Sequence, residues 1–320
     1  MLGTSSRNIF DPPTLRERIL TSPLQFIITN LYHSFNALYS TPKPSSKSCV
    51  RVICISDTHT KLCSIPSGDL LIHAGDLANK GTVSEIQAQI DWLASLPHAH
   101  KIVIAGNHDT YLDPRSRTTL SPEEQAETLD WKDITYLQHS GTKLKFENGR
   151  VLCIYGAPQI PKCGGSNFAF QYDRILDAWT DTVPRKTDVL VTHTPPKYHL
   201  DLQYPWLGCV FLLREVWKIR PVLHVFGHVH AGAGRELVRW DDMQEVYEGS
   251  MAREGRKGFI RQLISLHLWM DALRVIFYGV TGVIWDRVWG GDAKGTLMVN
   301  AALSVNNTGK LGNAIQIVDI

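Results

Sequence analysis

The main part of the chain alternates short apolar runs with longer amphipathic segments. Short β-branched runs that each end in a turn are typical of buried strands in a layered α/β domain. The predicted strands are VRVICIS (50–56), DLLIHAG (69–75), KIVIAG (101–106), RVLCIYG (150–156), DVLVTH (188–193) and VLHVFGH (222–228), with two closing strands in GTLMVNAALSVNN (295–307) and NAIQIVDI (313–320). Helical spacing in SEIQAQIDWLASL (84–96) and GCVFLLREVWKI (208–219) predicts helices between strands.

Two segments do not show this alternation of short apolar runs and amphipathic segments. In residues 1–48, Leu24, Ile27, Ile28, Leu31, Phe35 and Leu38 recur at helical spacing before the turn-rich TPKPSSKS, which predicts an N-terminal amphipathic helix and a linker. Residues 251–293 are apolar and aromatic with interspersed charges. We therefore expect residues 49–320 to form one domain that carries a helical insertion at about 251–293.

The role of the insertion stays open at this level. Its charge-free stretch between Arg274 and Asp286 is far shorter than the ~20 residues that span a bilayer, so no transmembrane helix is expected. Three interpretations remain: a hairpin that packs on the domain, a lid or substrate wall, and an element that contacts a membrane peripherally through 24–40 and 259–289. REGRKG (253–258), followed by Phe259, Trp269, Phe277 and Trp285, motivates the membrane interpretation.

Composition and charge bear on the partners and the location that we expect. The chain has 320 residues, and 33 Lys plus Arg against 31 Asp plus Glu give a formal charge of +2, so no specific nucleic-acid binding is expected. The six cysteines lie mostly in apolar runs without CxxC pairs, which favours reduced core thiols. The N-terminal residues lack a secretory signal layout, and we expect an intracellular, cytoplasmic protein. Nothing here predicts the oligomeric state.

Polar residues of metal-binding type follow the predicted strands. SDTH places Asp57 and His59 after the first strand, GD places Asp76 after the second, and GNHD places Asn107, His108 and Asp109 after the third; TH adds His193, and GHVH adds His228 and His230. Each residue alone is an ordinary turn or core residue. Together they indicate one site, because the carboxyl ends of strands form the ligand-binding edge of an α/β sheet.

The donor types indicate the cofactor. Nitrogen and oxygen donors without thiolate suit Mn, Fe, Zn or Mg, and they are numerous enough for two divalent metal ions. Two ions ~3.5–4 Å apart would clamp a phosphate and activate a water as hydroxide. A carboxylate must then bridge them, and Asp76 is the candidate because the preceding glycine lets the backbone turn sharply at the strand end.

The motif order DxH, GD, GNHD, H and GHxH resembles the calcineurin-like metallophosphoesterase superfamily. LIHAGDLANKGTVSEI, WLASLPHAHKIVIAGNHD, YGAP, VTHTPP and LHVFGHVHAGAG are similar to the metallophosphoesterase-domain-containing proteins of animals and fungi. The resemblance covers residues 50–235 and the strands after 294, but neither the N-terminal segment nor the insertion. It implies a four-layer α/β sandwich of two mixed β-sheets flanked by helices, the calcineurin-like phosphoesterase fold.

The resemblance also implies roles for the site residues. Asp57, His59, Asp76 and His230 would hold one metal, and Asp76, Asn107, His193 and His228 the other, with manganese favoured. His108 would contact the phosphoryl group and protonate or stabilise the leaving oxygen, and Asp109 would orient its neighbours.

The resemblance implies a phosphoesterase, and we expect a phosphodiester substrate such as a cyclic nucleotide or another small nucleotide-like ester. A phosphomonoesterase or protein phosphatase is the alternative, although protein phosphatases of this superfamily carry GDxxDRG where this chain has GDLANKG. A scaffold or membrane-associated protein that kept the metal site for binding is the non-enzymatic alternative.

Overall fold

A computed structural model describes residues 13–40, 49–202, 206–253, 258–290, 295–306 and 308–320. The strands are β1 (Arg51–Ile55), β2 (Leu70–Ala74), β3 (His100–Ile104), β4 (Thr135–Tyr136), β5 (Ser140–Lys145), β6 (Val151–Ala157), β7 (Ile160–Pro161), β8 (Gln171–Tyr172), β9 (Val189–Thr192), β10 (Leu223–Phe226), β11 (Gly234–Val238), β12 (Thr296–Asn300) and β13 (Gln316–Asp319). The α-helices are α1 (Leu15–Thr21), α2 (Pro23–Leu38), α3 (Val83–Ser95), α4 (Pro114–Arg117), α5 (Pro122–Ala126), α6 (Val210–Ile219), α7 (Asp242–Met251), α8 (Phe259–Leu263) and α9 (Leu266–Trp289). Every predicted strand and both predicted inter-strand helices are present.

The strands form two large mixed sheets. The first has the order β13-β1-β2-β3-β4, and the second has the order β11-β12-β10-β9-β6-β5. Strands β1 to β4 pair in parallel and β13 joins β1 antiparallel. In the second sheet β6, β9, β10 and β12 are parallel, and β5 forms an antiparallel hairpin with β6. The predicted α/β fold of two mixed sheets flanked by helices is confirmed.

Side chains of the two sheets share one core because successive strand residues face opposite ways. Val52, Cys54 and Ile72 of the first sheet cluster with Ile154 and Val225 of the second. The alternate residues Ile53, Leu71 and Val103 pack with Ile86 and Ile90 of α3. A strand that is buried on both faces reads as a continuous apolar run, which is why these strands were visible in the sequence.

Some elements carry no such signal. Strand β5 has the sequence SGTKLK, and its residues are exposed or half-buried, so its apolar content is low.

The cysteines are all free, but only Cys54 and Cys209 are buried, while Cys163 is exposed. The prediction of six core thiols is therefore wrong in part: a cysteine at the edge of an apolar run need not face the core.

The chain divides into two compact units. The sheets lie in the unit formed by Pro44–Glu236 and Leu297–Ile320, apart from the ends of β11 and β12. The second unit combines Pro12–Lys43 with Leu237–Thr296 and holds helices α1, α2, α7, α8 and α9. The described helices of the N-terminal segment and of the predicted insertion thus belong to one helical unit. Residues 1–12, the linker 41–48 and most of REGRKG lie outside the described residues.

The interior of the helical unit is rich in polar contacts. The rings of Tyr32 and Tyr247 stack with their centroids 4.0 Å apart, and the Tyr32 hydroxyl donates to Gln244.

Among the described residues, α9 is the helix whose length and composition suffice to cross a membrane, with 28% of its apolar window buried. Arg274 and Asp286 interrupt the apolar run in the sequence of this helix, so the run alone does not predict a membrane-spanning length.

Candidate metal centre

The loops that follow five strands bring the predicted metal-type residues together. Asp57 and His59 follow β1, Asp76 follows β2, and Asn107 follows β3; His193 follows β9, and His228 and His230 follow β10. Six predicted residues line a cavity of about 470 Å³: His59, Asp76, Asn107, His108, His228 and His230. Asp57 and His193 are fully buried, and their ligand atoms lie within 4.8 Å of those of the neighbouring residues.

Asp57, His59 and His230 form the first cluster of potential ligands. His230 Nε2 lies 3.3 Å from Asp57 Oδ1 and 3.5 Å from His59 Nε2. The Nδ1 atoms of both rings lie within hydrogen-bond distance of backbone carbonyls, those of Ala78 at 3.2 Å and Asn306 at 2.6 Å. A carbonyl only accepts, so both Nδ1 atoms carry hydrogen, and each ring in its neutral form directs an Nε2 lone pair to the same point. That donor set fits a cation.

Asp76, His193 and His228 form the second cluster. His193 Nδ1 donates to the carbonyl of Ala74 at 2.8 Å, which fixes the tautomer in the same way. Its Nε2 lies 3.1 Å from Asn107 Oδ1 and 3.4 Å from Asp76 Oδ2. The Nε2 atom of His193, which carries a lone pair in the neutral ring, converges here with two oxygens, and these donors also suit a hard or borderline divalent ion.

Asp76 stands between the two clusters. Its Oδ2 lies 3.9 Å from His59 Nε2 and 3.4 Å from His193 Nε2. Its Oδ1 accepts a hydrogen bond from the amide of His108 at 2.8 Å, which holds the carboxylate in place. One oxygen therefore faces both donor sets, the placement that a bridging ligand needs.

Burial and neighbouring charges shift the pKa values of several site residues in opposite directions. Burial alone raises the pKa of the Asp57 carboxyl, but the hydrogen bond and charge of His230 outweigh it and hold that pKa below its usual value. Burial disfavours the imidazolium of His193, yet Asp76 raises the pKa of His193 to about 9. His228 is different: burial lowers its pKa to about 3, so this ring is neutral and ready to bind a metal.

The backbone at the site adopts an uncommon conformation. Asp57, His59, Asp76 and His228 have φ values of 54°, 47°, 57° and 65°, in the left-handed region that side chains other than glycine rarely occupy. Such residues cost free energy and persist where the surrounding structure enforces them, commonly at functional sites. The left-handed turns aim these side chains from the strand ends into one pocket.

His108 and Asp109 differ in placement. His108 lines the cavity, and its Nδ1 lies 2.9 Å from the carbonyl of Asn79, so Nε2 is the ring nitrogen left for a ligand. Asp109 is fully buried and accepts hydrogen bonds from the amides of Gly106 at 2.8 Å and Ala78 at 3.0 Å. Burial, followed by the charge of Asp76, raises the pKa of Asp109 to about 7. Asp109 is not among the residues that line the cavity, and its hydrogen bonds join the loops after β2 and β3.

The outer wall of the cavity was not predicted. Lys162, Phe168 and Arg174 line it together with Cys163 and Asn306. The Phe168 ring lies 4.8 Å from that of His108, centroid to centroid, and Arg174 Nη1 donates to the carbonyl of Leu207 at 3.0 Å. Lys162, Cys163, Phe168 and Arg174 come from a loop region whose sequence shows no metal-type motif. A lysine, an arginine and an aromatic residue occur together in many sequences, so the sequence alone does not identify them as site residues.

Three histidines outside the clusters, His73, His199 and His224, are fully buried. His73 and His224 each lie 2.9 Å from a threonine hydroxyl, as expected for hydrogen-bonded core histidines. His199 is also fully buried, and its Nδ1 lies 3.3 Å from Glu236 Oε2. His199 therefore lies in the interior, beside the largely buried carboxylate of Glu236.

Comparison with known proteins agrees with this fold. The calcineurin-like phosphoesterase family matches residues 50–232. The chain therefore belongs to the calcineurin-like phosphoesterase family.

Three relatives show how far the similarity extends. Metallophosphoesterase domain-containing protein 1 of Homo sapiens is 37% identical over 219 residues, which cover 61% of this chain and 64% of the human protein. UPF0046 protein C25E10.12 of Caenorhabditis elegans is 38% identical over 216 residues, 60% of this chain and 72% of that protein. A protein of Emericella nidulans named "Probable rhamnogalacturonate lyase C" is 40% identical over 287 residues, 89% of this chain but 26% of the fungal protein. The chain thus spans about a quarter of that fungal relative.

Proposed function

We propose that the protein is a metal-dependent phosphodiesterase for a small nucleotide-like ester. The observation that carries this proposal is the position of Asp76 Oδ2 between two clusters of nitrogen and oxygen donors. Membership of the calcineurin-like phosphoesterase family supports the general class of reaction. The restriction to a small diester is our inference from the cavity.

The residues of the site would have different roles in binding the metal ions and the phosphate. Bound divalent ions would supply Lewis-acid stabilisation of the phosphate and lower the pKa of a water molecule. Asp57, His59 and His230 would hold one ion; His193, His228 and Asn107 would hold the other, and Asp76 would contact both. Asn107 contributes a neutral amide oxygen, so the site carries less negative charge against an anionic phosphate than it would with an aspartate.

His108 would supply the proton that the leaving oxygen takes up. Its Nδ1 is engaged with the carbonyl of Asn79, and in the imidazolium form Nε2 carries a proton towards the cavity. As a water-derived oxygen bonds to phosphorus and the P–O bond to the leaving group breaks, that proton passes to the leaving oxygen, and the neutral ring remains. The amide hydrogen bond to Asp76 ties the position of His108 to the metal cluster.

The cavity favours a substrate that is larger than phosphate. Its volume of about 470 Å³ falls within the range of small-molecule sites. Phe168 offers an aromatic face on which a base can stack, and Lys162 and Arg174 offer positive charge for an anionic ester. A diester places a second substituent beside the phosphate, and these three residues are available to contact it.

The segment after Asp76 argues against a phosphoprotein substrate. Leu77 and Ala78 are fully buried, and their amides donate to the Asp109 carboxylate at 3.3 Å and 3.0 Å. The arginine position of the GDxxDRG pattern is Lys80 in this chain, and a lysine cannot grip a phosphate bidentately as an arginine does. This observation supports a small ester over a protein phosphate.

A substrate panel tests the proposal. Protein loaded with Mn²⁺ is assayed on bis(p-nitrophenyl) phosphate, 2′,3′- and 3′,5′-cyclic nucleotides, p-nitrophenyl phosphate and a phosphopeptide. We expect diester turnover that Asp76→Asn abolishes and Asp130→Asn, the same change at an exposed carboxylate, leaves intact. Faster turnover of the monoester or the phosphopeptide would refute the diester assignment. Bound metal without turnover of any ester would refute the enzymatic proposal and support a binding role.

A further inference from the structure

Helix α9 presents its large apolar side chains outward. Leu266, Leu273, Phe277, Val280, Ile284 and Val288 follow one another at helical spacing and are 43% to 69% exposed. We call these six residues the apolar stripe. The opposite face of the helix, including Leu268, Asp271, Gly279 and Asp286, is buried. A helix of a water-soluble unit turns polar residues to the solvent, whereas α9 buries Leu268, Ala272 and Val275 and also exposes the apolar stripe.

The interior of the same unit holds paired polar side chains beside its apolar ones. Gln262 is fully buried, and its Oε1 accepts from the amides of Leu24 at 3.0 Å and Gln25 at 3.3 Å. Asp271 accepts from Arg253 Nε at 3.0 Å, and Asp286 accepts from the amide of Ser40 at 2.8 Å. Polar side chains that pair inside a helical unit while apolar ones face out are the arrangement expected next to lipid.

The charges on this surface are of one sign. Asp271 and Asp286 are the acidic residues of α8 and α9, and both are buried. Arg261, Arg274 and Arg287 are exposed on the same two helices. Trp269, Trp285 and Trp289 are 45%, 61% and 64% exposed along α9. Cations and tryptophans beside an apolar surface are typical of an element that sits among anionic headgroups.

We propose that α9 lies in the plane of an anionic membrane surface, with the apolar stripe at the boundary between headgroups and acyl chains. An orientation across the bilayer is disfavoured by Arg274, which is eight residues into a 24-residue helix and so ~12 Å along ~36 Å of length. Its side chain is 54% exposed, and a spanning helix would hold this charge within the hydrocarbon. In the plane of the surface, Arg274 reaches the headgroups.

A second copy of the chain fits the same surface less well. Symmetric pairing through α8 and α9 would bring exposed arginines against arginines, with no exposed acidic residue on these helices to compensate. Anionic lipid headgroups complement this charge. The choice of lipid over a second copy thus follows from the burial of Asp271 and Asp286.

Vesicle flotation with the full chain tests the proposal. We expect the protein to float with phosphatidylcholine vesicles that contain phosphatidylserine, less with pure phosphatidylcholine, and to be released by alkaline carbonate. The double variant Leu273→Gln, Phe277→Gln should lower the bound fraction at least about tenfold, because two exposed apolar side chains no longer enter the lipid. The matched variant Ile175→Gln, Leu176→Gln changes exposed apolar residues of the other unit and should float normally.

Other outcomes overturn the proposal. Flotation that both double variants retain would exclude the apolar stripe, and resistance to carbonate would indicate a spanning helix. Dimers in sedimentation without lipid that the Leu273→Gln, Phe277→Gln change dissociates would assign the surface to a second copy. Thermal unfolding of each variant at the wild-type temperature shows that the effect is local, and none of these readouts depends on phosphoesterase activity.

Discussion

His59 and His230 lie 171 positions apart in sequence, yet their Nε2 atoms are 3.5 Å apart. Each ring directs Nδ1 at a backbone carbonyl, of Ala78 or Asn306, and so turns a lone pair towards the other. Two facing lone pairs repel unless a proton or a cation lies between them. Because the Asp57 carboxylate adjoins the same point, a divalent cation satisfies all three groups at once.

Loss of His108 should slow catalysis far more than it weakens binding. His108→Ala is expected to lower kcat for a phosphodiester by about 10²- to 10⁴-fold, because the leaving oxygen then departs without a proton. The loss should be larger for an alkyl leaving group than for p-nitrophenolate, which departs readily as an anion. Steady-state kinetics on the two ester types measures this difference; an equal loss on both would contradict proton donation. His139→Asn, a change at an exposed histidine, serves as the control.

Gly227 is expected to be intolerant of any side chain. A Cβ at this position would lie 2.1 Å from Ser56 Oγ and 2.2 Å from Asp57 Oδ2. Gly227→Ala should therefore displace Asp57, weaken metal binding by about 10- to 100-fold and lower the free energy of unfolding by about 1–3 kcal/mol. Metal titration calorimetry and urea unfolding measure the two effects.

The matched glycine control is Gly249 in helix α7, where a Cβ would meet nothing within 4 Å. Gly249→Ala should raise the free energy of unfolding by about 0.5–1 kcal/mol, because alanine has the higher helix propensity. Unaltered metal affinity in Gly227→Ala would show that the Asp57 carboxylate is free to move and is not held in place by its surroundings.

His224 should make the protein sensitive to acid. The ring is fully buried, and burial, followed by the charge of His199, lowers its pKa to about 3. In the unfolded chain the ring takes up a proton near pH 6.5, so stability is complete above that pH and falls as the pH drops towards 3. His224→Gln keeps a hydrogen-bonding side chain but does not titrate, and between pH 6 and pH 4 its stability should fall by about 1.4 kcal/mol per pH unit less than that of the wild type. Parallel profiles in urea unfolding would contradict the burial of a neutral ring.

The strands and the site loops could be predicted because their signals are local. An apolar run such as VICIS reports a strand that is buried on both faces, and a polar residue just after it reports the functional edge of the sheet. Asp57, Asp76 and His193 were all found in this way. The family resemblance then separated His108, which the cavity exposes, from its buried neighbour Asp109.

Other features depend on contacts between distant segments. The sequence does not show that Asp57 and Asp76 adopt left-handed backbone conformations, or that Asn306 fixes the tautomer of His230. Helical spacing in residues 259–289 reveals an apolar stripe but not the direction in which it faces. That direction follows from the polar partners of Gln262 and Asp286, the amides of Leu24 and Ser40, which lie more than 200 positions away in the chain.

The content of divalent metal measures the central claim most directly. Protein freed of metal, reloaded with Mn²⁺, desalted and analysed by inductively coupled plasma mass spectrometry should hold about two ions per chain, since two donor clusters share the Asp76 carboxylate. Asp76→Asn should lose most of this metal, and Asp130→Asn should retain it. Less than one ion in the wild-type protein, or full loading of the Asp76→Asn variant, would contradict a paired-cation site built around this carboxylate.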